Sequence, residues 1–447
     1  MRLRSPKEAR QLRVETVTFD DGERFPMLLS AAGTPVFDTT VWSVTRYRSK
    51  SSATMEQALR GAMLIQLFCW RHQIDLGERF TSGTFFTVGE LDALLADASK
   101  PFSDLHKPAS PASIPLRSRR VNSASIGKPL RSLPTKTPAK AVRPPTVRNR
   151  LHYATSYLAW LGEREKSRKA FGAPRSNDAY IRAHEYGLRL LEMIEHIEER
   201  SPSGGDTSRM SLEPSQVAKL LEVTAPNSAL NPWTDPFVRL RNSLIVRWLL
   251  GTGMRRGELL GLHVRDFNRG KAYCEIKRRH DDKRDNRRRQ PNAKTLERLA
   301  PLDEQLVRLG EDYLKARRDL EVARKHGFLI VADDGVPLSE NSISAMFALL
   351  RDKFPGVGPV SAHVLRHQWN EDFSAYADSI GMDPDEEARE RSWLMGWGPA
   401  SKMPSHYLKR RTKEKADEHV KAMQRRLMKH ADEIGYRIGA ERKTGEF

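Results

Sequence analysis

The chain has 447 residues, 38% of them hydrophobic and 30% charged, and a formal charge of +19 at pH 7. That length exceeds one ordinary domain and predicts two or three. The surplus of cations predicts a polyanionic partner, of which nucleic acid is the commonest inside a cell, rather than a merely solvated basic surface, because the basic residues gather in particular segments. No apolar run approaches the ~20 residues needed to span a bilayer. The first residues, Met1-Arg2-Leu3-Arg4-Ser5-Pro6-Lys7, carry charge without the apolar stretch of a secretory signal. Binding to acidic lipid would want an amphipathic basic helix with bulky apolar anchors, and none stands out. Cys69 and Cys274 make no disulfide framework, so a reduced, cytoplasmic setting is expected. No cluster has zinc-ligand spacing, and neither metal nor cofactor is expected.

Residues 1–50 read as an accessory segment. Alternation over Val14-Glu15-Thr16-Val17-Thr18-Phe19 predicts a strand, and Asp20-Asp21-Gly22 a hairpin turn after it. Residues 51–200 read as a helical domain. Met55, Leu59, Met63, Leu67 and Trp70 share one helical face, with Thr54 as the expected N-cap. A second helix is expected from Thr87, with Glu90 completing a capping box.

Residues 101–145 interrupt that domain with nine prolines, many Ser, Ala, Lys and Arg, and a single acid, Asp104. Such a composition supplies no packed core and reads as a linker or arm, either tracking along phosphates or serving as a solubilising tether. Helical patterns return around Tyr157-Leu158-Ala159-Trp160-Leu161 and Leu188-Arg189-Leu190-Leu191, before Ser201-Pro202-Ser203-Gly204-Gly205-Asp206 breaks the chain.

The segment 207–430 reads as a third region of mixed helix and strand. Ser211-Leu212-Glu213-Pro214 starts a helix, and Phe237, Leu240, Leu244 and Trp248 turn the next one toward a core. A strand is expected over 272–276, then helices near 303–325, 340–353 and from 361. A helical pattern with Val420, Met423 and Met428 runs into a tail at 431–447.

Within this region lie, in order, Thr252-Gly253-Met254-Arg255-Arg256-Gly257-Glu258-Leu259-Leu260, then His363-Val364-Leu365-Arg366-His367, then Leu394-Met395-Gly396-Trp397 and, ten residues on, Tyr407. Two arginines, a histidine, an indole donor and a phenol are parts for holding and attacking a phosphodiester. Attack concentrates charge on the non-bridging oxygens, and fixed guanidinium forks suit it because they stay charged and hold two oxygens at once. Arg255 and Arg366 are the candidates for that clamp, although an Arg with Glu three residues on also makes ordinary surface ion pairs. Glu258, one turn beyond Arg255, either orients that guanidinium or is such an exposed pair. His363 precedes Arg366 by three positions, which puts both on one helix face, where the imidazole could move a proton or hold a phosphate oxygen. His367 is one position round and reads as a packing or supporting residue. Trp397 offers one N–H and no proton exchange. Trp393 reads as a buried aromatic. A phenol, with a pKa near ~10, attacks only beside a base and a cationic site.

The set resembles the tyrosine recombinase (phage integrase) family, with Arg255 in its G-x-R-x-x-E-L box and Arg366 in its H-x-x-R box. Trp397 stands where that family more often has histidine, and its spacing to Tyr407 is one residue longer than the commonest. The segment Lys294-Thr295-Leu296-Glu297-Arg298-Leu299-Ala300-Pro301-Leu302 resembles the family's β-hairpin lysine segment with its Arg-x-x-Pro-Leu ending. Lys277 and Lys283 are rivals to Lys294, because the basic run 277–289 is longer than the usual tight turn. That run either contacts phosphates or is a solvated loop.

The resemblance implies a mainly α fold with a small β-sheet. A helical core-binding domain and a mixed α/β catalytic domain would close as a C-clamp on double-stranded DNA. It implies site-specific recombination or integration on a mobile genetic element, through a 3′-phosphotyrosyl intermediate and without metal or ATP. Arg255, Lys294, His363, Arg366, Trp397 and Tyr407 would be catalytic, with Glu258 and His367 in support. It further implies a homotetramer on synapsed DNA, accessory DNA-bending or directionality proteins, and association with the nucleoid. The tail would dock on a neighbouring protomer or on its own domain. A type IB topoisomerase-like enzyme and a non-catalytic DNA-binding protein are the alternatives. The separate helical domain and the G-M-R-R-G-E-L box weigh against the first, and the intact Arg-His-Arg-Tyr set against the second.

Overall fold

The computed structural model describes residues 6–108, 142–172, 177–202, 211–279, 281–287, 289–291, 293, 295–398, 401 and 419–426. The chain divides into two compact units, Met1–Thr207 and Ser208–Phe447.

In the first unit α1 (Pro6–Gln11) leads into an antiparallel hairpin of β1 (Arg13–Thr18) and β2 (Arg24–Leu29), in register Arg13 to Leu29. The expected turn closes it, with Gly22 at φ +92 and its N–H bonded to the Phe19 carbonyl at 2.9 Å. Six helices follow: α2 (Phe37–Tyr47), α3 (Ser52–Arg71), α4 (Leu76–Ser82), α5 (Val88–Ala98), α6 (Phe102–Leu105) and α7 (Pro144–Gly172). The unit ends in α8 (Asn177–Glu199). Met55, Leu59, Met63 and Leu67 are buried as their spacing predicts, but so are Ala58, Leu64, Ile65 and Phe68, because α3 is surrounded rather than half-covered. At Gly61 it meets α7 so closely that a Cβ would lie 2.5 Å from that of Tyr153. Leu12, Leu28 and Trp42 from the first fifty residues join this core, with Trp42 edge-on to Tyr157 at 5.1 Å.

The N-cap of α3 is Ser51, not Thr54: the Ser51 hydroxyl accepts the Thr54 N–H, and Thr54 sits in the first turn. The Thr87/Glu90 capping box forms as expected. Most of the proline-rich stretch, 109–141, lies outside the described residues.

The second unit begins with α9 (Pro214–Val223), α10 (Pro236–Thr252) and α11 (Arg256–Gly261). A three-stranded antiparallel sheet follows in the order β3 (Phe267–Asn268), β4 (Tyr273–Ile276), β5 (Arg298–Pro301). Then come α12 (Glu304–Arg318), α13 (Glu321–Arg324), α14 (Glu340–Lys353), α15 (Ala362–Ser379) and α16 (Pro384–Met395). Leu244 and Trp248 of α10 reach the core with Tyr313, Phe347 and Leu365, and Phe237 and Leu240 pack on its margin. The fold is thus mainly helical with small sheets. Residues 419–426 are helical with every side chain exposed, and the rest of the tail expectation lies outside the described residues.

The long basic insertion between β4 and β5 is fastened to the body of the unit. Arg279 bonds Asp266 at 2.6 Å and the Gly261 carbonyl at 3.1 Å. Arg287 is held by Asp285, donates to the carbonyls of Leu260 and Leu338, and covers the Phe328 ring at 4.6 Å. Neither is the freely solvated cation that a charge run suggests.

Candidate active site

The site is built around the left-handed cap of α10. Gly253 has φ +60, a conformation that L side chains rarely adopt, and a Cβ there would lie 2.8 Å from both Met395 Cε and Trp369 Cδ2. This turn carries Arg255 to the start of α11. The backbone N–H of Arg255 donates to Glu258 Oε2 at 2.8 Å, and its guanidinium Nη1 lies 3.3 Å from Glu258 Oε1. Glu258 itself is buried, which rules out the exposed ion pair, while the Arg255 side chain stays 31% exposed.

Arg366 comes from α15 and is 4% exposed. Its Nη1 donates to the Gly253 carbonyl at 2.6 Å and its Nη2 to the Met395 carbonyl at 3.4 Å. One guanidinium therefore ties the turn before Arg255 to the last turn of α16. Trp397 follows that turn. It is buried with Met395 against Trp369, whose Nε1 donates to the Gly251 carbonyl at 3.1 Å. His363 is exposed one turn before Arg366, and its Nε2 is 2.9 Å from Nε2 of His367. A bond between two such nitrogens needs one donor and one acceptor, so at least one of the rings keeps a lone pair on Nε2.

Sequence reasoning missed Thr295 and Arg298. The Thr295 hydroxyl donates to Glu258 Oε1 at 2.6 Å. Arg298 Nη2 donates to Glu258 Oε2 at 2.7 Å, Nη1 to Thr295 Oγ1 at 2.9 Å, and Nε to the Leu394 carbonyl at 2.7 Å. The signal was there in the strand period: in β5 Arg298 and Ala300 face inward while Leu299 faces out, so a charge occupies an inward strand position. Burial alone would raise the Glu258 carboxyl. The charge and hydrogen bond of Arg298, the charge of Arg366 and the Thr295 hydroxyl outweigh it and hold the group at about 2. That balance favours the ionised form of Glu258.

Lys294 and Tyr407 lie outside the described residues. Of the rival lysines, Lys277 is in an ion pair with Glu275 at 2.9 Å and Lys283 is exposed. Trp393 is 76% exposed rather than buried. The reason is that α16 turns Glu387, Arg391 and Met395 inward at four-residue spacing, which leaves the indole outside. Among the described residues no group of three or more His, Cys, Asp or Glu side chains is disposed to hold a metal ion, and no helix is long and apolar enough to cross a membrane.

No curated protein sequence matches the chain. Among solved structures, XerA recombinase is 19% identical over 58% of this chain and 84% of that one, with a TM-score of 0.34. The Tn1549 transposon integrase with circular intermediate DNA is 16% identical over 59% and 74%, with a TM-score of 0.37. XerH site-specific recombinase bound to palindromic difH substrate is 20% identical over 61% and 82%, with a TM-score of 0.36. Residues 211–375 match the phage integrase family, a span that holds Arg255, Glu258, Arg298, His363 and Arg366. That segment of the chain is thus similar to the phage integrase family, the tyrosine recombinases.

Proposed function

We propose that the chain is a site-specific DNA recombinase that cleaves and rejoins duplex DNA through a 3′-phosphotyrosyl linkage at Tyr407. The observation that carries this reading is the union of Arg255 and Arg366. They lie far apart in sequence, yet Arg366 is bonded to the turn that delivers Arg255. A phosphate between them meets two cations whose geometry is set before it arrives, which is where transition-state stabilisation comes from.

In this reaction the Tyr407 oxygen attacks the scissile phosphorus, and the bond from phosphorus to the 5′ oxygen breaks. The phenolic proton leaves to a base, for which His363 is the candidate because His363 and His367 can share a proton. Lys294 supplies a proton to the departing 5′ oxygen. Charge on the non-bridging oxygens falls to Arg255 and Arg366. The phosphoester energy stays in the linkage, so a 5′ hydroxyl from a partner strand reverses the step without ATP. The working assembly in this reading is four copies on two synapsed duplexes, with DNA-bending or directionality proteins as accessory partners. A nicked suicide duplex tests it: wild type traps a covalent adduct and Tyr407→Phe does not. A protein that binds DNA yet never forms the adduct is a binding protein and not a recombinase.

A further inference from the structure

We propose that Arg298 is a positioning residue that sets the two-arginine clamp by joining Glu258 to the end of α16. The inference rests on the reaction proposed above and adds a residue to it. Three of its donors go to three different places: the Glu258 carboxylate on α11, the Thr295 hydroxyl just before β5, and the Leu394 carbonyl in the last turn of α16. The side chain is almost wholly buried, so it touches no substrate and acts through what it holds.

On one side it holds Glu258, whose two oxygens also receive the backbone N–H and guanidinium of Arg255. On the other side it holds the α16 terminus, whose next carbonyl, Met395, receives Arg366. Gly396 closes the same junction: its carbonyl accepts the Leu296 N–H at 2.9 Å, and a Cβ at this glycine would lie 2.8 Å from the Leu296 carbonyl. Loss of Arg298 therefore loosens both arginines at once, from opposite directions. A lysine keeps the charge but not the three-way planar fork.

Among the described residues, the charged groups acting on Glu258 include Arg255 on its own helix, Arg298 at β5 and Arg366 from α15. Without Arg298 the buried carboxyl loses its main counter-charge and takes up a proton at a higher pH. A neutral Glu258 no longer aims Arg255. This gives Arg298 a signature that a purely structural role lacks, namely a new acid limb in the rate.

The test measures single-turnover cleavage of a suicide duplex against pH, with DNA affinity and thermal midpoint alongside, for wild type, Arg298→Lys, Arg298→Met and Arg298→Met/Glu258→Gln. Arg298→Met should cleave at least ~10²-fold slower, the scale for a misplaced reacting group, with a deficit that deepens as the pH falls. Arg298→Lys should be slowed at least ~10-fold at all pH values without the new limb. The double variant should be slow but free of that limb, because glutamine does not titrate. Cleavage by Arg298→Lys within ~3-fold of wild type, against the loss expected for misplacement, overturns the proposal, and that variant alone decides if Arg298→Met does not fold. A loss in Arg298→Met that is uniform in pH and tracks a lower thermal midpoint also overturns it. If wild type itself forms no adduct, it is the recombinase reading that fails, and the positioning role falls with it.

Discussion

Arg366 Nη1 lies 2.6 Å from the Gly253 carbonyl, so the second arginine of the site is fastened to the turn that delivers the first. The two are one mechanical unit, and they differ in how they sit. Arg255 is partly open to solvent, whereas Arg366 is buried and also serves the fold.

That difference separates two substitutions. Arg255→Ala and Arg366→Ala should each slow cleavage by at least ~10²-fold, the scale for one lost transition-state donor. Only Arg366→Ala should also lower the thermal midpoint clearly, because it leaves the Gly253 carbonyl unsatisfied. Single-turnover rates and calorimetry on both variants check this, and near-normal cleavage by both would refute the clamp.

Gly253→Ala should be damaging although it removes no functional group. The new methyl meets Met395 and Trp369, and φ +60 is strained for alanine. A loss of about 1–3 kcal/mol is expected in urea unfolding of the second unit, together with slower cleavage.

A buried pair offers a third check. Arg391 and Glu387 are both fully buried, and Arg391 also reaches the Ser374 hydroxyl at 2.5 Å. Arg391→Met should cost about 3–5 kcal/mol by stranding the carboxylate. Arg391→Met/Glu387→Met should recover much of that in urea unfolding, since neither charge then remains buried.

Acid should weaken the second unit through His263. Burial first, then the charge of Arg279, lowers this imidazole from 6.5 to about 4, with Asp266 and Asp282 opposing. The unfolded chain binds the proton more readily than the native one. The contribution is therefore complete above pH 6.5 and is lost as the pH falls through the window from 6.5 to about 4. Relative to wild type, His263→Gln should flatten the stability profile there by on the order of 1–3 kcal/mol, read from urea midpoints at several pH values.

Some of this was legible in the sequence because it is local. The hairpin at Gly22, the Thr87/Glu90 box and the pairing of Arg255 with Glu258 follow from residues within a few positions of one another. Other features depend on what a segment meets. Ser51 rather than Thr54 caps α3 because the choice turns on one residue's ψ of 149, not on composition. Trp393 is outside because α16 buries charge and exposes an indole, an inversion that goes with the Ser374 and Phe373 side chains that meet the buried Arg391. Arg298 hid within the Arg-x-x-Pro-Leu pattern, since its partners, Glu258 and Leu394, lie far from it in sequence.

Where DNA becomes attached to the protein decides the reaction. The direct measurement is to trap the adduct on a suicide duplex, digest the protein, and identify by mass spectrometry the modified peptide and the DNA end it carries. The prediction is a 3′-phosphoryl nucleotide on Tyr407, formed in wild type and absent in Arg255→Ala over the same time. A 5′-linked nucleotide, attachment to any other residue, or an adduct that forms as fast without Arg255 would contradict it.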